Sequence, residues 1–338
     1  MKNTILIIGN QGYVGSVLSK FLKENKLNKV IGLDSGIFSK ILISKNPDKL
    51  IDKQIKHDVR SFKNKYLENV DAVIYLAAIS NDPMGNKFKK LTMDVNLKSC
   101  IKIAKMAKKK GVKKFIFASS CSVYGKSKNN SRVESDSVDP LTTYAKTKVI
   151  GEKKLKKISS KDFQVFCLRF ATACGHSPRL RLDLVLNDFI ANAFIFRNIK
   201  LLSNGKAWRP LISVNNMSKI MKYFAEGKNK KLSKSFYIIN CGLNNWNYTI
   251  LDLAKKVASV IKNVSISVGK DKTSDNRSYK VNFGLLKRLT PGLKLETKIE
   301  NTIFELYKSV KKIKFKNKDF RNSKFIRLKV LKKYMQKN

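Results

Sequence analysis

Thr4-Ile5-Leu6-Ile7-Ile8-Gly9-Asn10-Gln11-Gly12-Tyr13-Val14-Gly15 stands almost at the start of the chain. Its pattern predicts a strand, a tight turn and a helix in immediate succession. Thr4 to Ile8 is apolar without alternation, as expected of a parallel strand buried on both faces. Gly9 ends that strand. Gly12 lets the backbone approach a ligand's phosphates, and Gly15 lets helix and strand pack closely. The helix continues through Val14, Leu18, Phe21 and Leu22. Its first N–H groups have no intrahelical partner, so they form a seat for an anion. The spacing is G-x-x-G-x-x-G rather than the commoner G-x-G-x-x-G. The strand before and the helix after make it a dinucleotide seat rather than a plain turn.

The same strand-and-helix unit then repeats. Val30–Leu33 reads as a second strand ending at Asp34, Asp52–His57 as a third and Ala72–Leu76 as a fourth. Phe88–Lys109 predicts one long helix with an apolar stripe at Leu91, Val95, Ile101 and Met106, stopped by Gly111. Lys114–Ser119 and Gln164–Leu168 give two more strands, with a helix opened by Pro140 between them. Such repetition predicts an α/β fold, a Rossmann-type doubly wound parallel sheet over residues 1–172. Beyond it the rhythm changes. Short strands at Lys200–Leu202, Ser235–Asn240 and Val264–Val268 mix with helices near Leu184–Phe196, Ser218–Glu226, Ile250–Ile261 and Ile299–Val310. We read residues 173–312 as a smaller C-terminal α+β substrate-binding lobe, interleaved in its contacts with the first domain. Residues 313–338 read as a basic, solvated tail pinned by Phe315, Phe320, Phe325 and Tyr334. The polar stretch Gly125–Asp139 reads as a loop at the mouth of the site.

Composition narrows the function. Two histidines and five cysteines without a C-x-x-C pair leave metal centres, disulfide frameworks and Ser-His-Asp hydrolases short of parts. Reduced thiols in the cytoplasm are the expected state. No apolar run approaches the roughly 20 residues of a membrane span. The apolar start is too short for a signal peptide and runs into glycines where a cleavage site would stand. The formal charge of +47 is extreme. Lysine far outnumbers arginine and is spread over every segment, alongside abundant asparagine and isoleucine, as an AT-rich coding bias produces. No specific nucleic-acid partner is expected from that pattern, although a positive field would draw in an anionic substrate.

Asp34, closing the second strand, is placed to accept from adenosine ribose hydroxyls, and its charge would repel a 2′-phosphate, which favours NAD over NADP. Asp58-Val59 after the third strand could meet the adenine, and Leu76-Ala77-Ala78 after the fourth offers a small apolar wall beside the cofactor. Tyr144 and Lys148 stand four residues apart, on one face of a helix. A free tyrosine titrates near 10, so a phenolate base at neutral pH needs roughly 4 kcal/mol of differential stabilisation. A neighbouring ammonium and a positive nicotinamide ring supply it. Ser120, just past the fifth strand in Ser119-Ser120-Cys121-Ser122-Val123-Tyr124-Gly125, can hydrogen-bond the reacting oxygen.

The spaced glycines, Asp58-Val59-Arg60, Leu76-Ala77-Ala78, Asn96, Ser120 and Tyr144-x-x-x-Lys148 together resemble the extended short-chain dehydrogenase/reductase family. Within it, the likeness is to the NAD-dependent nucleotide-sugar epimerases and dehydratases, over nearly the whole chain. The resemblance implies Ser120, Tyr144 and Lys148 as catalytic residues. It places Gly9, Gly12, Tyr13, Val14, Gly15, Asp34, Asp58, Val59, Leu76, Ala77, Ala78, Asn96, Phe170 and Ala171, with Tyr144 and Lys148, around NAD. It places Ser80, Thr172, Asn187, Arg209 and Arg277 around the substrate, and no metal. It also implies a homodimer through the 88–109 helix and the helix bearing Tyr144. The chain departs from the family at Ser213-Val214-Asn215-Asn216, where His-Val-x-Asp is frequent, and at Tyr75, where histidine is. Family dehydratases carry an Asp-Glu pair after the catalytic hydroxyl residue, and decarboxylases an acid there; here stand Cys121 and Ser122. Neither is a useful carboxyl acid or base. The expectation is therefore an NAD-dependent epimerase of a nucleotide-activated sugar, at C4, through a 4-keto intermediate. Its alternatives are an NAD(P)-dependent keto-sugar reductase or dehydrogenase of the same fold and, outside enzymes, a basic nucleic-acid-associated binding protein.

Overall fold

The computed structural model describes residues 3–127, 130–227, 232–269, 277–315 and 319–337. Residues 128 and 129 of the predicted mouth loop, and 316–318 and 338 of the tail, fall outside that range. Seven strands form one parallel sheet: β1 (Thr4–Ile8), β2 (Lys29–Asp34), β3 (Lys53–Lys56), β4 (Ala72–Tyr75), β5 (Lys114–Ser120), β6 (Gln164–Phe170) and β10 (Phe236–Cys241). Their order is β10-β6-β5-β4-β1-β2-β3. Succession reverses at β1, flanked by β2 on one side and β4 on the other, and ligands of such sheets bind at the carboxyl ends beside that reversal. Ile5 to Ile8 and the whole of β4 are buried, because helices cover both faces.

Helix α1 (Tyr13–Lys23) follows β1 directly. The turn between them depends on two glycines. Gly9 has φ +98°, and a Cβ there would lie 2.7 Å from the Ala77 nitrogen. A Cβ on Gly15 would lie 2.4 Å from the Gly9 carbonyl oxygen. No other residue allows β1, α1 and the end of β4 to approach so closely.

The predicted long helix is interrupted. After α2 (Asp82–Lys87) come α3 (Lys89–Met93), a π-helical turn at Asp94–Ser99 and α4 (Cys100–Lys109). The π turn inserts an extra residue and rotates α4 about its axis. The buried face is accordingly Cys100, Ile103, Ala104 and Ala107, with Leu91, Val95, Ile101 and Met106 only half-buried at its flank. Tyr75 donates to the Val95 carbonyl at 2.6 Å, fastening the turn to β4. Helix α5 (Thr143–Ile158) does not begin at Pro140. Thr142 caps it, its hydroxyl accepting from the Ala145 N–H at 3.2 Å, so the chain stays extended for two residues past the proline.

The strand predicted at 235–240 belongs to the large sheet, as β10 at its edge. The sequence rhythm around it masks this, since its parallel partner β6 lies some seventy residues earlier. The smaller lobe holds β7 (Thr172–Cys174), β9 (Trp208–Ser213) and β11 (Asn247–Thr249) in one sheet. A pair of strands, β8 (Asn198–Leu201) and β12 (Ser265–Val268), forms another. Helices α6 (Val185–Phe196), α8 (Ile250–Val260) and α10 (Ile299–Lys311) pack there around Leu186, Ile190, Leu253, Val257, Ile303 and Leu306. Helix α7 (Val214–Glu226) returns to the large sheet beside α1, and α9 (Gly284–Leu289) covers β10. The first residues of α7 explain the departure noted in the sequence. Ser213 caps α7 by accepting from the Asn216 N–H at 3.1 Å. Asn216 exchanges two 2.9 Å hydrogen bonds with the Glu296 backbone.

The tail is not a solvated segment. Phe320 and Phe325 are buried in the smaller lobe, and α11 (Arg327–Lys337) buries Leu331 against Ile79 and Met84. Phe320 and Phe325 pin it as the sequence suggested, whereas Leu331 gave no signal among the lysines.

Candidate active site

Gly12, Val14, Leu76, Ala77, Ala78, Ser80, Ser120, Tyr144 and Thr172 all remain partly exposed at the carboxyl ends of the sheet, above a buried floor. At the start of α1 no side chain caps the helix and no acid stands in its first turn. Asp34 clips the glycine loop, its carboxylate accepting from the Gln11 N–H at 3.0 Å and the Gly36 N–H at 2.9 Å. Burial raises its pKa. Tyr13 contributes only its backbone to this loop, because its buried phenol donates to the Gly175 carbonyl at 2.7 Å.

Lys148 is buried and donates to the Ala118 carbonyl at 2.6 Å, tying α5 to β5 two residues before Ser120. Its Nζ lies 4.6 Å from the centre of the Phe117 ring and 5.4 Å from that of Tyr144. Burial pushes its pKa down to about 8. The ammonium is therefore held against the tyrosine in a poorly solvated place, where its charge acts most strongly. Ser120 ends β5, and its hydroxyl accepts from the Ser122 N–H at 3.1 Å. One turn beyond Lys148, Glu152 fixes the same helix to β6. It pairs with Arg169 at 2.7 Å and accepts from Ser119 at 2.5 Å, all buried. Arg169 also donates to Tyr124 at 2.9 Å. Cys121 turns into the core, its thiol donating to the Arg169 carbonyl at 3.0 Å, and burial raises its pKa. It stands behind the strand rather than in the cleft.

The other predicted residues have the following partners in the structure. Asn96, in the π turn, is fully buried. Its amide accepts from the Ile79 N–H at 2.8 Å and donates to the Ile79 carbonyl at 3.1 Å, so it shapes the loop after β4. Asn187 is also fully buried, accepting from the Gly175 N–H at 2.9 Å and donating to the Arg181 carbonyl at 2.8 Å. Both side chains clip backbone. Asp58 pairs with Arg60 at 2.7 Å, and hydrogen bonds from that arginine hold its pKa low. Val59 beside it is buried. Phe170 and Ala171 are buried at the end of β6. Arg209 donates to the backbone carbonyl of Arg277, so those two predicted residues do meet. Ser80 accepts from Arg181 at 3.0 Å.

Several residues carry the site without having stood out in the sequence. Glu152 was legible as the next position along the Tyr144–Lys148 face. Arg179 and Arg181 alternate with leucines in Pro178-Arg179-Leu180-Arg181-Leu182-Asp183, a weak signal of two inward-facing cations. Arg179 pairs with Asp48 at 2.7 Å and donates to Ser16 of α1 at 2.9 Å. Arg181 pairs with Asp183 at 2.9 Å. Nothing near Arg327 in the sequence marks it. Among the described residues no group of side chains could hold a metal, no helix is long and apolar enough to cross a membrane, and all five cysteines are free and buried.

A model of the NAD dependent epimerase/dehydratase family matches residues 5–242. An uncharacterized UDP-glucose epimerase, YtcB of Bacillus subtilis (strain 168), is 30% identical over 226 residues, 64% of this chain and 70% of that protein. Among solved structures, the UDP-N-acetylglucosamine 4-epimerase from Methanobrevibacter ruminantium M1, in complex with UDP-N-acetylmuramic acid, superposes with a TM-score of 0.78 at 23% identity. That match covers 91% of this chain and 98% of the other. TunA, an NAD dependent-NDP-hexosamine 5,6-dehydratase involved in tunicamycin biosynthesis, matches with the same TM-score of 0.78 at 19% identity, over 93% and 99%. Likeness at these identities establishes the fold. An epimerase and a dehydratase fit it equally well, so the choice of reaction rests on the side chains.

Proposed function

The chain belongs to the NAD dependent epimerase/dehydratase family, and from that premise we propose that it is an NAD-dependent epimerase of a nucleotide-activated sugar, acting at C4 through a 4-keto sugar. The single observation that carries the reading is the buried Lys148 ammonium 5.4 Å from the ring of Tyr144, at the carboxyl end of β5. The residues fit the cofactor. A Cβ on Gly12 would meet only the Gly9 carbonyl oxygen, at 3.3 Å, so the space above the loop is open to a pyrophosphate. Asp34 stands where a ribose would lie, and Leu76, Ala77 and Ala78 form the wall.

When bound, NAD supplies a reversible hydride acceptor for the sugar carbon. The protein's part is proton transfer and orientation. Tyr144, biased toward phenolate by Lys148, takes the C4 hydroxyl proton and later returns it. Ser120 hydrogen-bonds the reacting oxygen. The Glu152–Arg169 pair keeps α5 seated so that both groups hold their positions. Arg209 and Arg277 would grip the nucleotide diphosphate, with Ser80 and Thr172 nearer the sugar. Elimination of water needs an acid and a base next to Ser120, and Cys121, turned into the core, provides neither. The homodimer through residues 88–109, which span α3, the π turn and α4, and through α5 is part of the same proposal.

The test is to incubate the purified protein with a panel of nucleotide sugars and measure the products by NMR. The expected product is the C4 epimer, formed without net consumption of NAD. Tyr144→Phe should lower turnover at least about 1,000-fold while NAD stays bound through desalting. Near-normal turnover by that variant, or stoichiometric oxidation or reduction of the sugar, would overturn the reading.

A further inference from the structure

The C-terminal segment reaches the cofactor side of the molecule, far outside the family match at residues 5–242. It crosses three loops there. Phe320 and Phe325 join the apolar core that also takes in Phe38, Ile41 and Ile43 of the loop after β2. The Phe325 carbonyl accepts from the Leu182 N–H at 3.1 Å. Leu331 packs on Ile79 of the loop after β4 and on Met84 of α2. These loops flank the reversal of strand order where the glycine turn lies.

Arg327, the first residue of α11, points inward from this crossing. It is 2% exposed. Its guanidinium lies 4.6 Å from the centre of the Phe38 ring and gives one Nη2 hydrogen bond, to the Arg179 carbonyl at 2.9 Å. Its Nη1 is buried with no hydrogen-bond partner among the described residues. Two other guanidiniums share the place, and each has a carboxylate: Arg179 has Asp48 and Arg181 has Asp183. Arg327 has no ion pair among the described residues. Arg179 also donates to Ser16 in α1, and Arg181 to Ser80 after β4, so the group brackets the start of α1. Burial and the neighbouring Arg181 push the Arg327 pKa down to about 9. An arginine keeps its proton in a protein, so those forces register as destabilisation of the free protein rather than as neutralisation. A buried cation of this kind is tolerated when a ligand brings the opposite charge.

We propose that Arg327 binds the pyrophosphate of the dinucleotide, so that the C-terminal helix is a strap holding the cofactor from the side opposite the glycine loop. This rests on the dinucleotide reading of that loop. The diphosphate is the anion such a site would hold. A planar guanidinium matches its oxygens, and the N-terminus of α1 faces the same space. Asp34, close to the ribose, argues against a 2′-phosphate there.

The experiment measures binding of NAD, ADP-ribose, NADP and adenosine by calorimetry to wild type, Arg327→Met and Arg327→Lys. Arg327→Met should lower affinity for NAD and ADP-ribose about 10- to 100-fold, the range for losing a charge-assisted contact, and leave adenosine within about twofold. Arg327→Lys should lie between. The NAD-free Arg327→Met protein should melt no lower than wild type, and NAD should raise its melting temperature less. A wild-type measurement stands beside these in case a variant fails to fold. Hydrogen exchange at residues 319–337 should slow with ADP-ribose and not with adenosine. Equal losses for adenosine and NAD, a loss confined to NADP, unchanged NAD affinity, or exchange insensitive to ADP-ribose overturns the proposal. Unchanged NAD affinity in the variant leaves the epimerase reading intact, whereas failure of wild type to bind NAD at all removes both.

Discussion

Replacing Lys148 with methionine should make the free protein more stable and the enzyme far slower, and the two effects can be sized separately. The ammonium lies 5.4 Å from the centre of the Tyr144 ring. At an effective dielectric constant of about 20, a unit charge at that distance favours the phenolate by about 3 kcal/mol. Removing it lowers the phenolate population, and with it turnover, roughly 100-fold at neutral pH. The stability effect has the opposite sign. Burial takes the lysine from 10.5 to about 8, so holding its charge inside the fold costs roughly 3 kcal/mol. Methionine relieves that cost but leaves the Ala118 carbonyl without its donor, a loss of about 1–3 kcal/mol. The net is a gain of about 0–2 kcal/mol. Below pH 8 both folded and unfolded wild type carry the proton, and the full burial cost is present. Between about 8 and 10.5 the folded state releases it first, so wild type gains stability with rising pH relative to the variant. Urea unfolding of both apo proteins at pH 7 and at pH 10.5 reads this difference, and NMR of sugar turnover reads the rate. Turnover by Lys148→Met within about threefold of wild type at pH 7 would show that the ammonium does not activate the phenol. A variant less stable there by more than about 2 kcal/mol would show that the buried charge is not a cost to the fold.

Gly15→Ala should cost more than about 2 kcal/mol and release NAD, because the added Cβ would sit 2.4 Å from the Gly9 carbonyl; a melting curve within about 2 °C of wild type would contradict the packing described. Cys121→Ala should keep turnover within about threefold while lowering stability by about 1–2 kcal/mol, through loss of the thiol hydrogen bond and a small cavity. A 100-fold loss of turnover, with the protein folded, would place the thiol in the reaction and restore elimination as a candidate.

The parallel sheet was legible because its strands are continuous apolar runs, and such runs have no alternative but burial on both faces. β1, β2, β4, β5 and β6 lie within one or two residues of where the pattern puts them. The Tyr144–Lys148 pair was legible for a similar reason, since one helical turn brings i and i+4 together whatever surrounds them. Less was readable where the function of a residue depends on a distant partner. Asn96 and Asn187 are polar residues at suggestive positions, but each clips backbone that the fold delivers from elsewhere. The π turn at Asp94–Ser99 leaves no mark in the hydrophobic period, although it decides which face of α4 is buried.

By itself the sequence determined the strand-and-helix repeat of the doubly wound sheet, the glycine turn after β1 and the placing of Tyr144 and Lys148 on one helix, each of which is local in the chain. Tertiary structure alone decided that β10 completes the large sheet, that Glu152 and Arg169 lock α5 to β6, and that Cys121 is turned away from the cleft. It alone brought Arg327 from the end of the chain to Arg179 and the start of α1. Periodicity and spacing report contacts within a few turns of backbone. Ion pairs and docked segments form between residues a hundred or more positions apart, and those are set only when the core has closed.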